Sequence, residues 1–551
     1  MSCMLDILPW DILHTIFDYL EIVDLLHGFV DVNPHLNTIL HSYTRIQLNL
    51  KSVRKSTFHY ICERIHPDQI QSLVLSDDEF TPGQIKLFMS LLPLIKFINL
   101  QYLSIHGIDH PDLLYLIFSH MENNTRISSL SITGSPIVIS KKMSRSITDI
   151  LNSLPFLKSL TIMNSALLNT LQQPLSRLTH LTISSCALND LPIIFHWIPN
   201  LIYLHISVAF NNDLPTFDYV LLHLTTLIYE SKSWVLFHQL EKFFSLTPSL
   251  KRLVLETMGD EALLDGKRWE RLIQEKLSHL TKFSLNISPE ENNLSADHVL
   301  ASFHDQFWTN EKNWHMACLV STMTDSCARL FSIPDGTPTE EWYPLGEGFT
   351  YHSLTPSSFY ENFQELKIAY FPQSSLISSP LEQVQTLSLN CQTSEMGELE
   401  KIVNLRSVKH IKFATLVRYI SFNDLLRAAS NVNQITMSSQ LFERMSNSFS
   451  TNDDVYEQIT KLTINDITSP TDIATFSRMF PKLEHLSLSV KQRDDALAIF
   501  NEFHHLISAT VHWTHPSKTS VDIIEKHLQE NDICDDGAYR FHSSTLNVWI
   551  D

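Results

Sequence analysis

One short pattern, apolar-x-x-apolar-x-apolar, recurs through most of the chain and limits its possible folds more than any other feature. It begins with Ile70/Leu73/Leu75, Leu100/Leu103/Ile105, Ile127/Leu130/Ile132, Leu157/Leu160/Ile162, Leu178/Leu181/Ile183 and Leu201/Leu204/Ile206, and continues through Leu224/Leu227/Tyr229, Leu250/Leu253/Leu255 and Leu280/Phe283/Leu285. It resumes at Phe363/Leu366/Ile368, Val384/Leu387/Leu389, Val408/Ile411/Phe413, Val432/Ile435/Met437, Ile459/Leu462/Ile464, Leu483/Leu486/Leu488 and Leu506/Ala509/Val511. The sixteen copies follow at intervals of 21 to 30 residues, apart from one step of 83 between Leu280 and Phe363. Period-two alternation over so short a run is that of a strand with one buried face, and the residues between copies leave room for a helix and two turns. A unit this small cannot bury its apolar side alone, so neighbours must stack. The fold class read from the pattern is α/β: a curved solenoid with short parallel strands on the concave side and helices on the convex side. Leu154-Pro155, Thr247-Pro248 and Phe480-Pro481 stand just before strands, where proline ends a preceding helix. Thr81-Pro82-Gly83-Gln84 predicts a helix start closed by a capping box between Thr81 and Gln84.

The first fifty residues lack the repeat and read as three short helices. Leu8-Pro9-Trp10-Asp11 suits a helix start, and Leu13, Ile16, Phe17 and Leu20 follow as one apolar stripe. Asp24 is placed to cap a second helix carrying Leu25, Leu26 and Phe29, and Asn33-Pro34 opens a third with Leu36, Ile39 and Leu40. So small a piece can hardly bury all these groups within itself, so part of its surface should meet another chain or the next domain.

The run Leu8-Pro9-x-x-Ile12-Leu13-x-x-Ile16-Phe17-x-Tyr19-Leu20-x-x-x-Asp24-Leu25-Leu26 resembles the F-box motif almost position for position. Its third helix departs from the common pattern, having Val32-Asn33-Pro34-His35-Leu36-Asn37 where a Cys or Ser followed by Trp is frequent. The downstream pattern resembles the leucine-rich repeat, mostly without the usual Asn or Cys after the strand. Cys62-Glu63-Arg64, Leu75 to Pro82 and Phe307-Trp308…Lys312-x-Trp314 resemble stretches of a large group of F-box proteins. The resemblance implies a substrate-recognition subunit of an SCF-type ubiquitin ligase. Leu8, Pro9, Leu13, Ile16, Phe17, Leu20, Leu25, Leu26 and Phe29 would dock on the Skp adaptor, and through it on a cullin–RING scaffold, while the repeats hold a protein target. Ubiquitin transfer would then belong to partner subunits. The competing reading is a non-ligase repeat scaffold or sensor whose helices merely cap the array. The expected division is an F-box over 1–48, a connecting helix over 49–69, repeats over 70–287 and 363–515, an insertion over 288–362, and a cap over 516–551. The insertion carries a helix at 296–307, a loop at Pro334-Asp335-Gly336, and aromatic residues that include Trp342 and Tyr343. It is read either as a contributor to target binding or as a plug between two arrays. The cap is expected to hold a helix over 521–529 and a strand over 546–550.

Composition narrows the partners. With 40 Lys+Arg against 60 Asp+Glu, the formal charge is −20, which disfavours phosphate backbones and anionic lipid, so neither nucleic acid nor membrane is expected. The most apolar stretch, 191–210, contains His196, Pro199, Asn200 and His205 and is read as buried protein. The seven cysteines are scattered and never spaced Cys-x-x-Cys, which fits reduced thiols in a cytoplasmic or nuclear protein. No phosphate-loop, dinucleotide or zinc-ligand spacing occurs, so no catalytic residue, metal site or cofactor is read. The charged residues between the stripe positions are Lys158, Lys251, Arg252, Lys282, Lys367, Lys409, Lys412 and Lys461, against only Glu365 and Glu484. Eight bases and two acids in so acidic a chain suggest a face for an acidic or phosphorylated segment, although lysines on strands also discourage aggregation.

Overall fold

The structure, a computed structural model, describes residues 8–121, 126–135, 140–210, 219–289, 294–321, 326–333, 349–353, 364–368, 380–389, 396–413, 422–448, 454–468, 470–503, 506–514, 524, 526, 528, 538–542 and 544–550. Two compact units divide between Leu224 and Thr225, inside the first expected repeat block. The first also takes in residues 534–540 and 548–551, and the second residues 541–547.

The first unit opens with three helices, α1 (Trp10–Phe17), α2 (Ile22–Phe29) and α3 (Pro34–Ser42). The Asn33 side chain accepts from Leu36 N, as its place before Pro34 predicts. Asp24 does not cap α2; that helix begins two residues earlier, which puts Asp24 inside its first turn. Phe17 meets Phe29 edge-on at 4.8 Å and Tyr43 at 5.4 Å. The Tyr43 hydroxyl donates to Asp18 Oδ1 at 2.6 Å; burial, reinforced by Asp18, holds that hydroxyl well above its ordinary pKa. Gln69 Nε2 donates to the carbonyl of Leu40 at 2.6 Å and so ties the helices to the strand that follows.

Seven strands follow in chain order: β1 (Ile46–Asn49), β2 (Ile70–Ser76), β3 (Tyr102–Ile108), β4 (Ser129–Gly134), β5 (Ser159–Ile162), β6 (His180–Ala187) and β7 (Tyr203–Phe210). Each pairs in parallel with the next, and the stripe residues align: Leu73 with Leu103, Leu103 with Leu130, Leu130 with Leu160, Leu160 with Leu181, Leu181 with Leu204. All are buried, whereas the alternate residues stand half-buried or exposed. The array therefore begins one strand earlier than its sequence pattern does. The expected connecting helix over 49–69 is a shorter helix, α4 (Lys55–Arg64), between β1 and β2.

Most of the parallel strands are held at their start in one way. The carbonyl of the residue just before the strand accepts two backbone N–H groups of the next repeat. Gln101 O accepts from Ser128 and Ser129, Lys158 O from Thr179 and His180, Lys251 O from Thr281 and Lys282, and Lys409 O from Asn433 and Gln434. This shared acceptor satisfies two donors where the chain enters the sheet.

The helix after β2, α5 (Gln84–Leu91), does not form the expected capping box. Gly83 before it sits at φ 78°, a left-handed conformation suited to glycine, so Gln84 is the first helical residue. The buried Gln84 side chain accepts from Ser76 N and donates to Leu50 O, and Thr81 Oγ1 donates to Ser76 O. Asp77, also buried, caps the same helix by accepting from Ile85 N at 2.8 Å. Arg540 reaches it from the far end of the sequence, donating to the Asp77 carbonyl at 3.0 Å and pairing with the Asp109 carboxylate. Burial lifts the Asp77 carboxyl to about 6, against the opposing pull of the Ile85 N–H and Arg540. Trp549 is likewise buried in this unit, edge-on to Phe58 at 5.2 Å with Nε1 donating to Val53 O.

The second unit has β8 (Thr226–Val235), β9 (Arg252–Gly259) and β10 (Lys282–Pro289) in parallel. The described part of the expected insertion extends this sheet in the antiparallel sense. The strand β12 (Cys327–Ile333) pairs with β10, β11 (His315–Ser321) pairs with β12, and β13 (Phe349–Ser353) pairs with β11. The expected helix at 296–307 stops at Ser302, and a π-helical turn at Phe307–Glu311 follows. That turn buries Phe307 and Trp308, with Trp308 packed against Phe303, Phe283 and Trp314. The loop at Pro334-Asp335-Gly336 and the residues Trp342, Tyr343 and Phe363 lie outside the described residues. A separate parallel series comprises β14 (Glu365–Ile368), β15 (Thr386–Leu389), β16 (His410–Phe413), β17 (Gln434–Met437), β18 (Lys461–Thr468), β19 (His485–Val490) and β20 (Ser508–Trp513). The strands β21 (Tyr539–His542) and β22 (Thr545–Trp549) complete the order, β22 lying beside β20. Thr510 Oγ1 donates to Asn547 there. Of the helix expected over 521–529, Ile524, Lys526 and Leu528 are described and are helical.

Candidate binding surfaces

Two surfaces carry the residues singled out by sequence. The first is the helical head of the first unit. Leu13, Phe17, Leu25, Leu26 and Phe29, expected on a docking surface, are buried in the chain's own core. They face inward because α1 and α2 pack on α3 and on the elements that follow, so these five hold the head together and cannot line an open surface. Leu8, Ile16 and Leu20 are half-buried, and Pro9 is exposed. The exposed apolar groups lie outside that expected docking set: Trp10 at 47%, Ile12 at 45%, Tyr19 at 86%, and Val32 in the turn after α2. Ile12 and Ile16 stand at i and i+4 on α1, a second apolar stripe, and Tyr19 continues it in the turn after the helix. The helix is thus apolar on two sides, one packed and one open. The signal lay in the spacing, but inward and outward stripes cannot be told apart until the neighbours are known.

The second surface is the polar side of the strands. Its eight bases do not stand in one row. Lys158, Lys251 and Lys409 occupy the residue just before the strand, where the shared carbonyl sits, whereas Arg252, Lys282, Lys367, Lys412 and Lys461 are on the strands themselves. All five strand cations belong to the second unit. The strands β2 to β7 carry no lysine or arginine, and Ser, Thr, His and Tyr predominate at their polar positions, among them Ser104, Thr161, His180, Tyr203 and His205. Lys412 Nζ lies 2.5 Å from Glu365 Oε1, two strands away, so that pair neutralises itself. Beside Lys412, His410 is lowered to about 4 by burial and by the lysine's charge, and its Nε2 bonds Thr436 Oγ1 at 2.8 Å.

Lys251, Arg252 and Lys282 are different. Arg252 and Lys282 are register partners on β9 and β10, and Lys251 precedes Arg252. All three are exposed, with no acidic partner among the described residues. Nearby, Lys312 Nζ donates to the Leu280 carbonyl at 2.9 Å and lies 5.2 Å from the Trp314 ring. Further along the sheet, Glu230 of β8 stands opposite Glu256 of β9, the latter 3.4 Å from the buried Arg329. Arg252 and Lys282, like charges opposed across neighbouring strands, repel one another, so an anion laid over them would relieve the repulsion.

No group of histidine, cysteine and acidic side chains with metal-binding geometry occurs among the described residues, and no helix is long and apolar enough to cross a membrane. No family model matches the chain, and no curated protein matches it in sequence. Among solved structures, a leucine-rich-repeat protein of Leptospira interrogans is matched at 12% identity over 85% of this chain and 93% of its own, with a TM-score of 0.24. The yeast Rad7–Elc1 complex is matched at 12% identity over 72% of this chain and 78% of its own, also with a TM-score of 0.24. Likeness at that level has no bearing on function.

Proposed function

We propose that the chain is the substrate-recognition subunit of an SCF-type ubiquitin ligase, with its helical head docking on the Skp adaptor and its repeats holding a protein target. The open stripe Ile12/Ile16/Tyr19, flanked by Pro9 and Trp10, is the observation that supports this reading best. A helix at the head of a repeat array needs one apolar face for its own core; a second exposed face is a liability unless a partner covers it. The run that resembles the F-box motif spans this helix. The contribution to catalysis is proximity: the receptor raises the local concentration of target lysines near the charged ubiquitin carrier. Lys251, Arg252 and Lys282 are the proposed contact for an acidic segment of the target.

The test is co-expression of the full chain with the Skp adaptor, beside an Ile12→Glu/Tyr19→Glu variant. Both substitutions fall on exposed or half-open positions and leave Leu13 and Phe17 in the core, so the variant should stay folded. Adaptor that co-purifies with the wild type and is lost from the folded variant supports the receptor reading. Folded wild-type protein that retains no adaptor sinks it and leaves a repeat scaffold with a helical cap.

A further inference from the structure

Cys318 and Cys327 lie on the neighbouring antiparallel strands β11 and β12, and their sulfurs are 3.1 Å apart. The register slips by one residue between Leu319 and Val320, which sets Val320 opposite Cys327 and brings Cys318 to the diagonal position on the same face. Both side chains are fully buried. Cys62 and Cys186, also buried, have no such neighbour among the described residues. The spacing of nine residues belongs to no cysteine motif, so only the strand pairing reveals the pair.

We infer that Cys318 and Cys327 form a site of reversible covalent modification, an intramolecular disulfide that locks the β11–β12 hairpin. A disulfide needs its sulfurs about 2.05 Å apart, so bond formation asks for a movement of roughly 1 Å. The oxidant is a small-molecule disulfide of the glutathione class. One cysteine, as its thiolate, attacks a sulfur of the oxidant and releases one glutathione thiolate, leaving a mixed disulfide. The second cysteine then attacks the protein sulfur and releases the second glutathione thiolate, and the two cysteine protons end on the two glutathiones. Two S–H bonds and one S–S bond break, and one S–S and two S–H bonds form. Burial, with Cys327 alongside, holds the Cys318 thiol well above its usual pKa. The closed hairpin therefore reacts slowly, and exchange runs through its local opening. Once formed, the bond closes a ring of about ten residues across strands that continue the sheet from β10.

The experiment equilibrates full-length protein in reduced or oxidised glutathione buffer, with urea below the unfolding transition to speed hairpin opening. Samples are quenched by alkylation and peptide-mapped, and proteolysis between 319 and 326 is timed in parallel. The expected result is a cross-linked peptide pair containing Cys318 and Cys327, with hairpin cleavage slowed by roughly 10- to 100-fold against the reduced form, as loop entropy for so short a ring allows. Cys318→Ala should abolish both effects, and Cys62→Ala should change neither. Recovery of Cys318 and Cys327 as alkylated thiols or as separate glutathione adducts, in oxidised buffer where the hairpin is still cleavable, overturns the inference.

Discussion

Asp77→Asn should make the first unit more stable at neutral pH, although it removes a carboxylate that caps a helix. Asp77 is buried, its Oδ1 accepts from Ile85 N, and Arg540 lies near. Burial outweighs both favourable contacts and raises the carboxyl from 3.8 to about 6. A folded-state value above the unfolded one means that the folded chain binds the proton more tightly. The associated stability is fully present below about pH 4 and is lost as pH rises through 6. Two units at 1.36 kcal/mol each give a loss of about 3 kcal/mol by pH 7. Asparagine keeps an oxygen for Ile85 N and carries no charge to bury. Amide hydrogen exchange over Gln84–Leu91, in wild type and variant from pH 4 to 7.5, isolates the effect once intrinsic exchange rates are divided out. The difference in local stability should be near zero at pH 4 and grow to about 3 kcal/mol in favour of the variant above pH 6.5. A flat difference, or a variant less stable at pH 7, would show that the Ile85 and Arg540 contacts outweigh desolvation and that the reasoning is wrong.

Two other outcomes follow from the geometry. Trp549→Ala removes a fully buried indole and leaves the Val53 carbonyl without its donor, so it should cost about 3–5 kcal/mol; the loss should appear as faster amide exchange in Lys55–Arg64, and unchanged protection there would contradict the packing. Reversal of Lys251, Arg252 and Lys282 to Glu should weaken binding of an immobilised poly-glutamate peptide at least tenfold at low salt, and the wild-type binding should fall steeply as salt is raised; equal binding by the reversed protein would remove that face from the account.

The stripe residues were legible because each copy buries the same alternate positions, and the register pairs them almost leucine to leucine. The first strand escaped notice because Ile46-Gln47-Leu48 is one residue shorter than the pattern, and its pairing with β2 slips at that point. The capping box failed because Gly83 can turn left-handed, a freedom that outweighed the Thr81/Gln84 spacing. For the surfaces, sequence placed the bases near strand starts but could not show that Glu365, 47 residues from Lys412, would neutralise it. Nor could it separate the inward from the outward stripe of a helix apolar on both sides. Arg540 and Asp77, and Cys318 and Cys327, are brought together by folding alone, and no local rule pairs them.

The contacts made by Arg540 and Trp549 bear on how this protein is synthesised. Arg540 lies 463 residues beyond Asp77, and Trp549 lies 496 beyond Val53. At about 5–20 residues per second, a ribosome needs roughly 20 to 90 seconds after making Asp77 before its arginine emerges. Through that interval the nascent first unit carries a buried acid without its counter-charge and an aromatic socket around Phe58 without its indole. The earliest repeats to leave the ribosome are thus among the last to be finished, and a chain released early would expose that socket to the quality-control machinery of the cell.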